Sequence, residues 1–136
     1  MSENKKELWR KRWLGSINEL TSIELQKKSW MDKKTSNPHW SFVEFMCSYF
    51  DDLVIDNDYQ EQLKESWISN SEFEIIKNWH NALSNYKSPT TDHDREAILE
   101  DENWQKIVGL GLEAKRKLSE HLENEELKIL NERIDY

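Results

Sequence analysis

The sequence contains few of the residues that interrupt helices or cross-link a chain. Its 136 residues include three glycines, two prolines and one cysteine, Cys47. Scarce glycine and proline, recurring helix-capping patterns and the absence of β-like alternation together favour helices. A single cysteine excludes an internal disulfide framework and is typical of a reducing compartment. We therefore expect a helical protein located in the cytoplasm.

Long apolar runs are also missing. No stretch approaches the roughly 18 apolar residues that a transmembrane helix needs. Residues 1–6 lead into a charged amphipathic segment and not into the apolar core of a signal peptide. We expect neither membrane spanning nor secretion.

Aliphatic residues are scarce, but aromatic residues are plentiful. Hydrophobic residues make up 36% of the chain and charged residues 34%, against about 45–50% and about 25% in typical soluble domains. Seven Trp, four Tyr and four Phe compensate for the shortage of aliphatic residues, because each aromatic side chain can bury on the order of 150–250 Å². We predict one folded domain over residues 1–136, since a chain of this size can bury about two-thirds of its unfolded surface.

Capping signals and apolar periodicity predict the helices. Gly15 should end a first helix, and Thr21 with Glu24 should cap a second. The central helix should follow Pro38, because its apolar residues cover more than half of its circumference. The next long helix should start at Ser69 or Ser71, and Asp101 should precede the last long one. The predicted helices span 2–14, 21 to the Lys33-Lys34 loop, 38–54, 59–67, 69–87 and 102–122, and residues 125–136 form a final helix or an extension. We group them into an all-α, single-domain irregular bundle of about six helices.

Two of these helices carry clear apolar stripes. The stripe of the helix at 69–87 is Phe73, Ile76, Trp79, Leu83 and Tyr86, and that of the helix at 102–122 is Trp104, Ile107, Gly111, Ala114, Leu118 and Leu122. Gly111 lies in the middle of the second stripe. A small side chain there lets a neighbouring helix approach closely. We predict that both helices pack against the helix at 38–54.

The net charge of −8 is unevenly distributed. Residues 1–34 contain nine Lys or Arg and five Asp or Glu, a balance of +4, whereas residues 35–136 contain ten and twenty-two, a balance of −12. The acidic body should repel nucleic acid. The basic patch of the first helix lies beside Trp9 and Trp13 and comprises Lys5, Lys6, Arg10, Lys11 and Arg12. This patch could contact a membrane surface or nucleic acid, or it could dock on the acidic body of its own chain or of a second copy in a homodimer.

Residues suited to catalysis or metal binding form no recognisable motif. The four histidines lack metal-ligand spacing, and Gly109-Leu110-Gly111 lacks the continuation of a phosphate-binding turn. We therefore assign no metal, no cofactor and no catalytic residue. His80 borders an apolar stripe and His93 lies in a polar loop, so these two are the candidate functional histidines. An enzyme using either one as an acid or base is an alternative interpretation.

Acidic tracts suggest a different function. Small acidic helical proteins, such as bacterial immunity proteins and antitoxins, can neutralise basic proteins because opposite potentials steer their encounter. We therefore predict a non-enzymatic module that binds a basic protein partner. Aromatic residues near the acids could anchor such a partner, although core packing and solvated helix ends explain the same residues. The candidates are Asp51, Asp52, Tyr59, Trp67, Glu100, Asp101, Glu102 and Trp104.

Overall fold

The structure, a computed structural model, describes residues 2–31, 42–51, 53, 55, 59–91 and 94–131, and it is an all-α bundle as predicted. These ranges contain eight helices, more than the six expected. They are α1 Ser2–Leu20, α2 Ile23–Met31, α3 Phe42–Phe50, α4 Gln60–Lys64, α5 Asn70–Asn85, α6 Arg95–Glu100, α7 Glu102–Ser119 and α8 Asn124–Leu130. Within the described part of the chain, no helix has the length and apolar character to cross a membrane.

The first helix is longer and more central than predicted. α1 continues through Gly15 to Leu20, and it packs against α2, α3, α7 and α8. Gly15 costs a helix about 1 kcal/mol relative to alanine, which burial of Trp13, Leu14 and Ile17 around it offsets. α1 therefore occupies the central position that was predicted for the helix at 38–54.

The helix predicted to be central, α3, lies on one side of α1. Its described part is Phe42–Phe50, and the predicted start at Pro38 lies outside the described residues. Tyr49 contacts Trp79 of α5 edge-on with ring centroids 5.3 Å apart, and Phe42 contacts Trp104 of α7 at 5.4 Å. The two long striped helices therefore touch α3 through these rings, but they pack mainly against each other, and α3 packs mainly against α1.

The close approach predicted at Gly111 is confirmed. α5 and α7 pack against each other along their apolar stripes. A Cβ atom on Gly111 would lie 2.5 Å from Cγ2 of Thr21 and 2.8 Å from Nε1 of Trp79. Neither distance is compatible with a side chain, so glycine is required for this packing.

Local capping explains where α5 begins. The amide of Glu72 donates to Oγ of Ser69 at 3.1 Å, and the amide of Ser69 donates to Oε1 of Glu72 at 2.9 Å. This reciprocal capping box satisfies two amides that a helix start leaves without partners. Of the two predicted starts, the one at Ser69 is correct.

The predicted cap of α2 is wrong by one residue. The hydroxyl of Ser22 accepts the amide hydrogen of Leu25 at 3.2 Å. The hydroxyl of Thr21 instead donates to the carbonyl of Ile17 at 2.8 Å. Because α1 extends to Leu20, Thr21 belongs to the end of α1 and cannot cap the next helix.

Candidate functional site

A groove of about 230 Å³ lies between α3 and the end of α5. It is lined by Phe42, Val43, Met46, Cys47, Phe50, Asp51 and Tyr86. The groove exists because α3 has apolar residues around more than half of its circumference. Phe45 and Tyr49 are buried in the core, whereas Val43, Met46 and Phe50 are half-buried and face the groove.

One predicted acidic residue lines this groove, and a second is hydrogen-bonded to a residue of its wall. Asp51 directly follows α3 and is exposed on the groove wall. The hydroxyl of Tyr86, which lines the same groove, donates to Oδ2 of Asp101 at 2.9 Å. Glu100 and Glu102 flank Asp101 in sequence and are exposed. Asp51 therefore lines the apolar groove, and Asp101 is linked to the groove through the hydroxyl of Tyr86. The predicted residue Asp52 lies outside the described residues.

Asp101 also has the structural role considered for it. Its Oδ1 accepts the amide hydrogen of Asn103 at 3.1 Å, and it caps α7. A carboxylate at this position also interacts favourably with the positive end of the helix dipole. Its two oxygens therefore connect the start of α7 to the groove.

The predicted aromatic anchors are not at this groove. Tyr59 and Trp104 are fully buried, so neither ring can contact a partner in this structure. The indole of Trp104 donates to Oε1 of Gln26 at 2.9 Å. Trp67 is half-buried and lies in another cleft, 5.8 Å from the ring of Trp9. Trp104 is therefore a core residue, in agreement with the alternative given above for the aromatic candidates.

The aromatic residues that do line the groove were assigned to the core. They are Phe42, Phe50 and Tyr86. One signal in the sequence pointed to them. A helix with more apolar surface than one core face can cover leaves the remainder for another contact, and α3 has such a surplus.

The basic patch divides into exposed residues and one enclosed residue. Lys5, Lys6, Lys11 and Arg12 are exposed. The Arg10 side chain is only 12% exposed, and it forms ion pairs with Glu72 at 2.7 Å and Glu126 at 2.6 Å. Arg10 therefore binds acidic residues of its own chain, which is one of the possibilities proposed above for the basic patch.

The contacts of Arg10 join three segments of the chain. Its Nη1 donates to the carbonyl of Trp67 at 2.7 Å, while its carboxylate partners are on α5 and α8. Burial raises the pKa of Glu72, but hydrogen bonds from Arg10 and Ser69 lower it more, so the pKa is below its usual value. Glu72 is therefore ionised at neutral pH, although it is nearly enclosed.

His80 is buried among aromatic side chains. Its imidazole is 3% exposed and contacts the rings of Tyr49, Phe50 and Tyr59. Its Nδ1 is 2.8 Å from the hydroxyl of Tyr49. The other candidate, His93, lies outside the described residues. Among the described residues, no group of three or more His, Cys, Asp or Glu side chains is arranged to hold a metal ion.

Comparisons with known proteins give no relative. No protein-family model, characterised protein or solved structure matches the chain. Function is therefore inferred from the groove, its charges and the buried polar residues.

Proposed function

We propose that this protein is a non-enzymatic binding module of the bacterial immunity or antitoxin type, which binds a basic protein through the groove beside α3. The observation that carries the proposal is an apolar groove that Asp51 lines and whose Tyr86 is hydrogen-bonded to Asp101. Apolar side chains supply contact area, and carboxylates at the rim select a positively charged partner.

The chemistry of the groove defines the partner segment that would fit. An apolar side chain of the partner packs against Met46 and Phe50, and a neighbouring Lys or Arg approaches Asp51. A second basic residue approaches the group formed by Asp101 and its exposed acidic neighbours. The balance of −12 over residues 35–136 adds long-range attraction that speeds the encounter.

Cys47 offers a direct test of the binding face. It is the sole cysteine of the chain, it is exposed, and it lines the groove. A photo-activated cross-linker attached to Cys47 should capture the partner in lysate from the native cells. The matched control is C47S/E120C, which moves the label to the C-cap of α7. Since α7 has 18 residues, this label lies roughly 27 Å along the helix axis from Asp101.

Cross-linking from Cys47 but not from the control position supports the groove as the binding face. Capture from the control position alone contradicts it. Affinity purification of the unlabelled protein at low and high salt provides the independent test of partner charge. One stoichiometric basic protein that is lost in high salt is the expected result, whereas a protein purified alone at both salts contradicts the proposal.

Charge substitutions separate local from overall electrostatics. D51N/D101N removes one charge from the groove wall and one from the hydrogen-bonding partner of Tyr86, and asparagine at position 101 still caps α7. E113Q/E120Q removes two charges from the C-terminal part of α7, where both residues are exposed. We expect the first pair to slow association with the captured partner at least tenfold more than the second. Equal effects would show that only net charge matters and that the groove is not the contact.

The exposed basic residues of α1 support a second candidate function. Lys5, Lys6, Lys11 and Arg12 could contact nucleic acid or an anionic membrane surface. Deleting the first helix would not test this, because Trp9 and Trp13 are part of the core. The variant K5Q/K6Q/R12Q keeps the core and removes three charges. Unchanged binding of this variant to DNA, RNA or anionic vesicles would eliminate the alternative.

A further inference from the structure

Four buried side chains form one continuous hydrogen-bonded chain through the core. The indole nitrogen of Trp13 is 3.0 Å from the hydroxyl of Tyr59, which is hydrogen-bonded to the hydroxyl of Tyr49. The Tyr49 hydroxyl is in turn 2.8 Å from Nδ1 of His80. The four residues come from α1, the residue before α4, α3 and α5, and none is more than 3% exposed.

The direction of this chain follows from the chemistry of its first member. An indole N–H can only donate, so the Tyr59 oxygen accepts from Trp13. Among the described residues, the acceptor within reach of the Tyr59 hydroxyl hydrogen is the oxygen of Tyr49. The hydrogen of Tyr49 is left to be donated to Nδ1 of His80. Each of the three hydrogens donated in this order has an acceptor.

The reverse order fails at a single atom. If Nδ1 of His80 carried a hydrogen and donated it to Tyr49, Tyr49 would donate to Tyr59. The hydroxyl hydrogen of Tyr59 would then face the N–H of Trp13, which cannot accept it. A buried donor without a partner is rare in folded proteins.

We infer that His80 accepts from Tyr49 in a one-way hydrogen-bonded chain, with Nδ1 unprotonated and the ring hydrogen on Nε2. The lone pair of Nδ1 is thereby occupied by Tyr49, and the lone pair of Nε2 is replaced by a hydrogen. His80 in this form has no available lone pair for use as a general base. Its role is structural, because its hydrogen bond with Tyr49 joins α5 to α3. This inference goes beyond the proposed binding function and does not depend on it.

Two further features of the chain agree with this inference. Burial raises the pKa of Tyr49 and of Tyr59, so both phenols keep the hydrogens that they donate. Tyr59 also has a φ of 67°, in the left-handed region that tyrosine rarely adopts. Such a conformation persists only where surrounding contacts enforce it. The two hydrogen bonds to its hydroxyl supply contacts of that kind.

Nitrogen-15 NMR of the full-length protein tests the tautomer directly. At neutral pH, we expect the Nδ1 shift of His80 to be that of an unprotonated ring nitrogen and the Nε2 shift to be that of a protonated one. His121 is exposed and serves as the internal control, because a solvated imidazole averages its tautomers. A protonated Nδ1 on His80 would overturn the inference, and this measurement requires no variant.

A pair of matched variants tests the links one at a time. Y49F removes the donor to His80, so the fixed tautomer should be lost while the indole N–H of Trp13 stays protected from hydrogen exchange. Y59F leaves Tyr49 donating to His80, so the tautomer should persist while exchange of the Trp13 indole accelerates at least tenfold. If the variants merely loosened the core, both Y49F and Y59F would lose the fixed His80 tautomer and would accelerate exchange of the Trp13 indole. That result would contradict a directed hydrogen-bonded chain.

Discussion

The R10M variant, in which methionine replaces Arg10, should unfold at a measurably lower urea concentration than the wild type. Methionine keeps an unbranched side chain but removes every donor that Arg10 provides. Glu72, whose side chain is 9% exposed, would then lack its 2.7 Å ionic partner. Glu126 is 30% exposed and would regain contact with water more easily. Most of the cost therefore comes from Glu72.

The expected size of this effect follows from the surroundings of the two charges. Breaking a buried ion pair costs about 3–5 kcal/mol, because one charge remains without a partner. Glu72 keeps its hydrogen bond from the amide of Ser69 and lines a cleft, so we expect about 2–3 kcal/mol for R10M. For a chain of this length, each kcal/mol of lost stability lowers Tm by roughly 4 °C, a value interpolated between smaller and larger domains. The expected fall in Tm is therefore about 10 °C.

A double-mutant cycle with E72Q isolates the pair. Glutamine can replace glutamate in a capping box, so E72Q removes the charge and leaves the start of α5 intact. Urea denaturation of the two single variants and the double variant should give a coupling above about 1 kcal/mol. K11M is the control, since the 3.7 Å pair of Lys11 with Glu7 is exposed and should contribute under about 0.5 kcal/mol. An R10M effect no larger than that of K11M would refute the reasoning.

The pH dependence has a defined sign. The pKa of Glu72 in the folded protein lies below its ordinary value of 4.5. Its contribution is therefore fully present above pH 4.5 and is lost as the pH falls through the folded-state pKa. The difference in stability between wild type and R10M should shrink in acid, and a difference that grows below pH 4 would contradict this assignment.

The remaining predictions concern single positions, all measured by urea denaturation. G111A should destabilise the protein by about 1–3 kcal/mol, because the new Cβ would lie 2.8 Å from the Trp79 ring. G109A should instead stabilise it by about 0.5–1 kcal/mol, because its Cβ would meet no atom within 4 Å; the same sign for both variants would contradict the packing. Burial raises the pKa of Glu19 to about 7, so stability should fall as pH rises from about 4.5 to about 7 and level off above it. E19Q should abolish that fall, and an unchanged pH profile would show that Glu19 is solvated. S69A should cost about 1 kcal/mol by removing the cap of α5, whereas no loss would mean that the cap is dispensable.

The two long striped helices could be predicted because their signals are local. Ser69 and Glu72 satisfy each other within one turn, and the buried residues of α5 and α7 recur at helical spacing. Gly111 was recognisable for the same reason, since a glycine in an apolar stripe indicates close packing. The all-α fold class and the apolar stripes of α5 and α7 could therefore be predicted from residues that are near each other in the sequence.

The centrality of α1 could not be predicted, because it depends on distant partners. A segment with Lys5, Lys6 and Arg10 has the composition of a surface helix. Burial of its apolar side requires α8, and enclosure of Arg10 requires Glu72 and Glu126. Gly15 was interpreted as a stop signal for a helix whose tertiary contacts override it.

The candidate site was predictable in charge but not in shape. Asp51 and Asp101 stand out as acids in the sequence, yet the groove that Asp51 lines, and that Asp101 reaches through Tyr86, depends on how α3 packs beside the end of α5. Tyr59 and Trp104 were assigned to an interface because buried and exposed aromatic residues have the same sequence signature. The hydroxyl chain to His80 likewise depends on four segments meeting in the core.

The pairing of α1 with α8 has a consequence for folding kinetics. Arg10 and Glu126 are 116 positions apart, so this contact closes a loop containing most of the chain. Closing such a loop costs conformational entropy before the contact stabilises anything. Helical bundles whose neighbours in space are also neighbours in sequence avoid this cost and fold in microseconds to milliseconds. We expect this protein to fold more slowly than bundles of that kind, with the docking of α8 among its last steps.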